Sequence, residues 1–477
     1  MRLLLLLPLL AGLSACSLTP TLERPVAPVP TSFPVNTTAP ALSLPASALG
    51  WRAMFGDPRL QRLIDLALTN NRDLRLATLN VEAAQAQANI QRAARLPAVG
   101  LDGTRTRERA LSTDANGQTS REVSQQTGVN VALSAFELDL FGRVRALSDA
   151  AFARYLASEQ GRDAAQIALV GAVAEAYFTQ RLADEQLQLT ERTLADWRQS
   201  LELARLLKQA EQSSSLDVAQ AEGQVAQAEA DLEARRRALA QADNALQLLV
   251  GSELPSDLPV GLPLKRQSVI AQLPAGLPAD LLLNRPDLRQ AEQILVAANA
   301  DIGAARAAFF PQISLTASFG YASTSLGSLF DPVGQVWRFV PQISQPLFQG
   351  GRLRAELRLA EVRKDEAVAQ YERAIQTAFR EVADALAGTA TFDRQIEAQL
   401  RAVSAAERRL QLSDLRYHAG VDGRLELLDA QRQLQAARQA LLELRRADSV
   451  NAVVLFKALG GGLNPGGASI AAVDTAD

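Results

Sequence analysis

The sequence contains almost no cysteine or histidine. Its 477 residues include one of each, Cys16 and His418, which excludes a disulfide framework, a Cys/His zinc site and a Cys–His nucleophile pair. Basic residues are not in excess either, because 49 Lys and Arg stand against 52 Asp and Glu. Without a basic surplus to neutralise phosphates, the chain is not expected to bind nucleic acid. These absences exclude most metal-dependent and nucleophilic enzyme chemistry.

Long hydrophobic runs are also scarce, and aromatic residues make up only 5% of the chain. After the first 15 residues, no apolar run approaches the roughly 18 residues that a membrane-spanning helix requires. If the protein crosses a membrane, we therefore expect β-strands to do so.

The amino terminus has the pattern of an export signal. Arg2 is followed by the apolar stretch Leu3–Leu10, and Leu13–Ala15 directly precede Cys16. This pattern resembles a bacterial lipoprotein signal, in which a small residue precedes the cysteine that is acylated. An ordinary signal peptide with an incidental cysteine is the alternative, which is disfavoured because the rest of the chain avoids cysteine. Ser17 follows the cysteine, which favours delivery to the outer membrane.

Proline marks the borders between segments. Seven of the 21 prolines lie between Pro20 and Pro45, where fixed φ angles and missing donors favour an extended leash. Residues 98–254 and 347–464 contain no proline. The predicted segments are a signal peptide (1–15), a lipidated N-terminus with a leash (16–50), a first repeat (51–254), a linker (255–280), a second repeat (281–462) and a tail (463–477).

The two halves of the body are copies of one another. Leu216–Glu222 matches Leu425–Gln431 at an offset of 209, and the same offset carries Arg143 onto Arg352. Copies of about 180 residues are far longer than the roughly 20–50 residues of solenoid units. The sequence therefore predicts a duplicated domain.

Each copy contains two long helical segments. In the first copy, about 65 residues with helical spacing follow Val144, and after a break at Ser213–Ser215 about 35 more extend to Gly251. Apolar residues repeat every seven positions, which is the period of supercoiled helices that pack along their length. They are Val218, Val225, Leu232, Leu239 and Leu246 in the first copy, and Leu427, Leu434 and Leu441 in the second. Periodicity alone does not separate a soluble coiled coil from a wall of helices around a channel.

Each copy also contains two segments of period 2, which predict a pair of strands of about ten residues. In the second copy the apolar residues Ile313, Leu315, Ala317, Phe319 and Tyr321 alternate with small or polar ones, and Trp337, Phe339 and Ile343 follow on the next strand. In the first copy they are Val123, Val129, Val131, Leu133 and Ala135, with Val99 and Leu101 on a shorter partner. Soluble hairpins that cap the helices are the alternative to a lipid-facing sheet.

Four strands cannot span a bilayer alone, because every strand edge in lipid must be paired. The chain must therefore oligomerise to close a barrel. Two chains would leave little lumen and three would give twelve strands, but strand counting does not choose between three and four chains. The predicted fold class is mixed α and β: a membrane β-barrel with four strands per chain, continued by long helices.

A series of short motifs, taken together, resembles a known family. They are Arg-Pro-Asp-Leu (Arg285–Leu288), Phe-Phe-Pro-Gln-Ile (Phe309–Ile313), Pro-Leu-Phe-x-Gly-Gly (Pro346–Gly351), Arg-Tyr-x-x-Gly (Arg416–Gly420), Leu-Leu-Asp-Ala-Gln (Leu427–Gln431) and Ala-Leu-Gly-Gly-Gly (Ala458–Gly462). In this order, after a lipobox and a Pro-rich leash, they look like the outer-membrane efflux proteins of the TolC superfamily, specifically the NodT/OprM-type lipoproteins.

The resemblance implies a passive channel and not an enzyme, with no cofactor or metal. It implies a homotrimer in outer-membrane lipid: a twelve-stranded β-barrel, continued by a tunnel of α-helices across the periplasm of a Gram-negative bacterium. It also implies two partners, an inner-membrane resistance-nodulation-division (RND) transporter and a periplasmic adaptor protein, which together expel drugs or other small molecules.

The resemblance further implies a gated periplasmic entrance at the breaks between helices. Leu425 and Asp429, one turn apart, match the positions whose rings are narrowest when the entrance is closed. Arg416 and Tyr417 match tether residues that bond to an acid of the neighbouring inner helix pair, and Asp217 occupies the place of that acid. An acid near a helix N-terminus is the alternative explanation of Asp429.

Two further features of the sequence lie beside the predicted entrance. His418 adjoins the tether and is either a pH sensor or a solvated residue at a helix end. The first break has Glu211-Gln212-Ser213 where the second has Gly420, so the Asp217 turn is expected to differ in shape.

Two rival functions share parts of this pattern. A type I secretion channel of the same superfamily would export proteins, but the lipobox and the Ala-Leu-Gly-Gly-Gly end argue against it. A lipid-anchored coiled-coil spacer without a pore would share the heptads but has no use for four amphipathic strands.

Overall fold

The computed structural model of the chain describes residues 17–33, 49–113, 117, 119–267, 269–270 and 284–465. Cys16 and the predicted signal peptide lie outside the described residues, as does most of the predicted tail. Among the described residues, the first repeat forms α1 (Trp51–Met54), α2 (Pro58–Asn70), α3 (Arg72–Ala93), β1 (Val99–Thr113), β2 (Thr119–Leu138), α4 (Arg143–Gln209) and α5 (Ser215–Val250). The second forms α6 (Pro286–Ala307), β3 (Gln312–Ser323), β4 (Gln335–Ser344), α7 (Arg352–His418) and α8 (Arg424–Ala458).

The long helices confirm the predicted duplication. α4 and α7 both contain 67 residues, and α5 and α8 contain 36 and 35. The offset of 209 relates the first residues of α4 and α7, their last residues, and the first residues of α5 and α8. The long helices therefore begin at matching positions in both copies, although Ser214 caps α5 with its side chain and Gly423 gives α8 no side-chain cap.

In each copy, a glycine with left-handed backbone angles follows the second long helix. Gly251 has φ 75° and Gly460 has φ 82°. A Cβ at Gly251 would lie 2.5 Å from the carbonyl oxygen of Asn70, and one at Gly460 would lie 2.7 Å from that of Asn284. A side chain is excluded at both positions because the end of each second helix approaches the backbone just before α3 or α6.

The heptad positions form the seams between paired helices, as predicted. Val218, Val225 and Leu232 of α5 are buried in one cluster with Leu194 and Trp197 of α4. In the second copy, a cluster of buried residues joins α7 to α8: Val403, Leu434 and Leu441. In each copy the shorter helix thus packs against the C-terminal part of the longer one.

The four strands form one antiparallel sheet in the order β1-β2-β3-β4. β1 and β2 contain 15 and 20 residues, longer than the predicted ten, because a polar hairpin continues beyond the part that pairs with β3. The predicted alternation fails at Ala135, where a bulge between Leu133 and Phe136 shifts the register and Ala135 has φ 44°. The extra residue transfers the apolar face from odd to even numbers, so Phe136 takes the position expected for Ala135.

One face of the sheet is apolar and exposed in the single chain. Register places Leu101, Val131, Phe319 and Trp337 in one row across the four strands. Trp337 is 76% exposed and Leu101 is 74% exposed. The alternation of apolar and polar faces is confirmed, and a face this apolar requires a nonpolar environment.

No helix in the described parts of the chain is both long enough and apolar enough to cross a membrane.

The chain divides into two compact units, and each takes residues from both repeats. Among the described residues, the first unit takes its members from the ranges Met1–Val26, Asn80–Ser158 and Gln290–Tyr371, and the second from Ala27–Leu79, Glu159–Arg289 and Glu372–Asp477. The repeats of the sequence are therefore not separately packed domains.

The described part of the predicted leash contains neither helix nor strand, and it packs on the protein. Asn299 donates to the carbonyl oxygen of Pro20 over 2.7 Å, and Arg24 pairs with Glu292 at 2.8 Å. Further along, the buried Phe33 stacks on Phe379 with ring centroids 5.0 Å apart.

The predicted linker is held by a buried carboxylate. Asp57 caps α2 and is 1% exposed. It accepts hydrogen bonds from the hydroxyl of Tyr177 at 2.6 Å and from the backbone of Leu262 at 2.9 Å. Burial and the Asp57 bond together raise the pKa of Tyr177, so this hydroxyl stays a donor.

Candidate entrance site at the helix breaks

The first break is closed by a capping box. The hydroxyl of Ser214 accepts from the backbone N–H of Asp217 at 3.2 Å, and the Asp217 carboxylate accepts from the backbone N–H of Ser214 at 3.0 Å. Ser213 also donates to this carboxylate at 3.0 Å. The Ser214 hydroxyl also donates to this carboxylate at 2.7 Å. The side-chain and backbone hydrogen bonds from Ser214 hold the pKa of Asp217 below its usual range, with help from Ser213 and the charge of Arg424.

The two breaks have the same turn, contrary to the sequence-based expectation. Glu211 has φ 59° and Gly420, the position 209 residues later, has φ 69°. Gln212 donates to the carbonyl of Leu207 at 2.8 Å, and Val421 donates to that of Arg416 at 2.9 Å. A glutamate in the left-handed region is less stable by roughly 1–2 kcal/mol, whereas a glycine adopts this region without strain. The two turns therefore share one backbone geometry although their residues differ.

Asp217 and the two tether residues are engaged elsewhere within the single chain. The guanidinium of Arg416 donates to Asp422 at 2.5 and 2.8 Å, and this bond raises the pKa of Arg416 and lowers that of Asp422. Tyr417 contacts the ring of His418, with centroids 5.7 Å apart. The structure does not bring Asp217 onto Arg416 or Tyr417 in one chain, and the tether stays a prediction.

The predicted gate residues lie together at the start of α8. Leu425 is 70% exposed. The carboxylate of Asp429 accepts from Arg409 of α7 at 2.8 Å and from Gln433 at 3.0 Å. Arg409 also pairs with Glu426 at 2.7 Å, and these two acids raise the pKa of Arg409.

Sequence reasoning missed Arg409, although a signal exists for it. Arg409 and Glu426 are 17 residues apart across the second break. Arg205 and Glu222 pair with the same separation across the first break. Opposite charges at this spacing around a helical turn indicate a contact between the two antiparallel helices.

Sequence reasoning also missed Arg424, the first residue of α8. It is only 6% exposed, and its guanidinium donates to the carbonyl and hydroxyl oxygens of Ser200 in α4 at 2.8 and 2.9 Å. Arg424 thus joins the second helix pair to the first beside the predicted gate. An arginine at a helix start is usually solvated, so the sequence carries no signal for this contact.

His418 is the last residue of α7, at the second break. Its Nε2 is 3.5 Å from an Asp414 carboxylate oxygen, and its side chain is 61% exposed. The site therefore brings His418 close to an acid four residues away on its own helix.

A polar cavity of about 870 Å³ lies between α5 and α8, beside Leu425 and Asp429. Five glutamines line it: Gln220, Gln224, Gln227, Gln435 and Gln439. Among the described residues, no cluster of three or more His, Cys, Asp or Glu could hold a metal ion. The site can bind water and ions weakly through amides and carboxylates.

The fold and site define a class of protein. An exposed apolar sheet face, joined in both copies to long paired helices that end in polar breaks, is the arrangement of an outer-membrane channel. The chain belongs to the family described as outer membrane efflux protein, whose model matches residues 63–252 and 277–461. The protein is accordingly an outer-membrane channel of an efflux system, and the predicted family and fold class are confirmed.

The chain is also similar to individual outer-membrane efflux proteins and to a solved outer-membrane channel. The chain is 47% identical over 461 residues to the solvent efflux pump outer membrane protein SrpC of Pseudomonas putida, covering 94% of this chain and 96% of SrpC. It is 44% identical over 454 residues to the outer membrane protein OprJ of Pseudomonas aeruginosa, covering 95% and 94%. The open state of the Neisseria gonorrhoeae MtrE outer membrane channel superposes with a TM-score of 0.87 at 40% identity, covering 95% of this chain and all of that one.

Proposed function

We propose that three copies of the chain close a twelve-stranded barrel and form a passive exit duct for drugs or other small molecules. An inner-membrane RND transporter and a periplasmic adaptor deliver the cargo. The observation that carries the proposal is the exposed apolar face of a sheet whose outer strands, β1 and β4, each have only one partner in the single chain. In lipid such edges must be paired. The relative named as a solvent efflux protein supports small organic cargo.

Reconstitution of the purified protein into planar bilayers tests this function. Discrete conductance steps from trimers are expected, and a spacer without a pore would give none. Co-purification with an RND transporter and its adaptor is expected as well. Recovery with a peptide-exporting ATPase instead would identify a protein secretion channel.

We further propose that Cys16 carries the lipid anchor. Cys16→Ser is expected to abolish labelling by a palmitate analogue, because Cys16 is the only thiol in the chain. The protein should remain in the membrane fraction, since the lipid adds to an already complete barrel. Ser17→Ala is the matched control and should label normally. Label that persists in Cys16→Ser would place acylation elsewhere.

The gate proposal is that Asp217 bonds to Arg416 and Tyr417 across the closed entrance. Arg416→Ser combined with Tyr417→Phe removes the donors that would hold Asp217 in the closed form, so open time in planar bilayers is expected to rise roughly tenfold. Asp217→Asn should raise it as well.

The chain offers a sharp control for the tether, because Arg416 also pairs with Asp422. Asp422→Asn frees Arg416 and is expected to leave the entrance closed, whereas a role confined to the Arg416–Asp422 turn predicts opening. Parental conductance in the Arg416/Tyr417 variant, with trimers intact, would remove the tether assignment.

Asp429 is proposed to form a ring of three carboxylates at the entrance. Asp429→Ala is expected to weaken block by divalent cations added to the periplasmic side, because three carboxylates are deleted. Arg409→Gln should strengthen block, because it removes the cation that Asp429 now contacts. The ring would be refuted if both variants blocked like the parent.

A further inference from the structure

Four arginines of the β1–β2 hairpin share the apolar face of the sheet. They are Arg105, Arg107, Arg109 and Arg121. The first three follow Leu101 at even spacing along β1, and the fourth pairs with Leu111, so register gives all four the same face. All four are exposed.

Carboxylates are absent from this part of the face. Four residue pairs lie on this part of the face, from Arg105–Thr127 to Leu111–Arg121. Of their eight residues, four are arginines and none is acidic. Asp102 and Glu108 of β1 fall on the opposite face by the same alternation. The face of β4 that carries Trp337 also has no acid, so a second copy pairing its β4 with β1 would not neutralise the arginines.

The arginines begin where the aromatic rows end. Val129 pairs with Tyr321, and the next row on this face contains Thr127, Ser323 and Arg105. At about 3.3 Å per residue, the four arginines lie about 7, 13, 20 and 26 Å beyond the Tyr321 row. Along this face, apolar residues are followed by aromatic residues and then by cationic residues. This order matches the change from hydrocarbon through the interface to the headgroups of a bilayer.

The arginines lie at the end of the sheet remote from the long helices. Both strand ends that connect to α3 and α4, Val99 and Leu138, lie at the other end of the hairpin. With the helical part in the periplasm, as the family resemblance implies and the proposed duct requires, this end of the sheet lies in the outer leaflet and beyond.

We propose that this face binds the phosphates of an outer-leaflet glycolipid, such as those of lipid A. The planar guanidinium donates to phosphate oxygens in pairs, which makes arginine better suited than a point charge to this anion. Diphosphoryl lipid A carries two phosphates on one molecule, so one lipid can bind more than one of these arginines, whereas a phospholipid such as phosphatidylglycerol offers a single phosphate. The inference rests on the proposed membrane placement of the sheet, but not on conduction.

The test begins with the unaltered trimer in detergent, titrated with fluorescent lipid A. Diphosphoryl lipid A is expected to bind at least about tenfold more tightly than its dephosphorylated form or phosphatidylglycerol. Binding should weaken as salt is added. Equal affinity for the phosphorylated and dephosphorylated lipids would overturn the proposal without any variant.

Variants then assign the site. Changing the four hairpin arginines to glutamine should reduce the affinity for diphosphoryl lipid A at least about tenfold, and changing them to lysine should reduce it less. A control that replaces the same number of exposed helical arginines keeps the net charge matched and should bind like the parent; these are Arg75, Arg92, Arg354 and Arg363. An equal loss in the control would show that overall charge, and not this face, holds the lipid.

Conductance separates this inference from the proposed function. The four-glutamine variant is expected to conduct like the parent while it loses lipid A. Trimers that bind lipid A but do not conduct would refute the channel and keep the lipid site.

Discussion

Arginine in place of Phe339 or Leu315 is expected to destabilise the membrane-inserted sheet by about 2–4 kcal/mol per chain, the cost of a cation near the bilayer midplane. Phe339 pairs with Ala317 in a central row of the apolar face, and Leu315 lies one row nearer the helices. Three chains contribute to one barrel in the proposed assembly, so the loss is repeated in each trimer. The fraction of folded trimer recovered from membranes should fall sharply.

The opposite face supplies the control. Ser314→Arg lies one residue from Leu315 on the polar face and should be mild, since Arg338 already lies on that face beside Phe339. Ile343→Arg should cost only about 0–1 kcal/mol, because the Ile313–Ile343 pair is the last apolar row before the helices. Equal trimer yield from Phe339→Arg and Ser314→Arg would mean that the apolar face does not meet lipid.

Arg285→Met is expected to produce the second large effect, a loss of about 2 kcal/mol in the second compact unit, because it removes charged hydrogen bonds to two partly exposed carboxylates, Asp287 and Glu381, and to the carbonyl of Ala458. The side chain of Arg285 is 9% exposed. It donates to Asp287 at 2.6 and 3.0 Å, to Glu381 of α7 at 2.8 Å and to the carbonyl of Ala458 at 3.1 Å. Burial opposes its charge, but the two carboxylates raise the pKa of Arg285 overall.

This one guanidinium connects the start of α6 with α7 and the end of α8, so its loss should loosen all three. The expected result is a lower thermal midpoint by circular dichroism and faster proteolysis near Ala458. Arg285→Lys keeps the charge but cannot reach Asp287 and Glu381 with the same fork, and it should recover only part of the loss. Arg354→Met, on an exposed stretch of α7, is the matched control and should behave like the parent. An unchanged midpoint in Arg285→Met would show that the cluster does not stabilise the unit.

Much of the architecture could be predicted because its signals are local. The Ser-rich run at Ser213–Ser215 indicated the break between α4 and α5, and the heptads at Val218 and Leu427 specify which helix faces are buried. The strand alternation from Ile313 to Tyr321 gave the apolar face of β3. Each signal depends on neighbours within one or two turns of helix or one strand.

The candidate site was predicted less completely. The motifs pointed to Leu425 and Asp429, but not to Arg409, whose signal is only its 17-residue spacing from Glu426. They did not point to Arg424 either, because its contact with Ser200 of a distant helix leaves no period in the sequence. The bulge at Ala135 was not predicted either. No residue type at this position marks it, and the shift in register appears only when β2 pairs with β3.

By itself, the sequence determined the duplication, the lengths of the long helices, the faces of β3 and β4 and the family of the protein, since periodicity and turn residues act over short range. Only the tertiary structure decided that each compact unit mixes both repeats, that Glu211 adopts the backbone of Gly420, and that Asp429 pairs with Arg409. These outcomes depend on which surfaces meet when the chain packs. The free energy of burying Arg424 on Ser200, or of straining one residue in a turn, is balanced against the packing of whole helices and not against local preference.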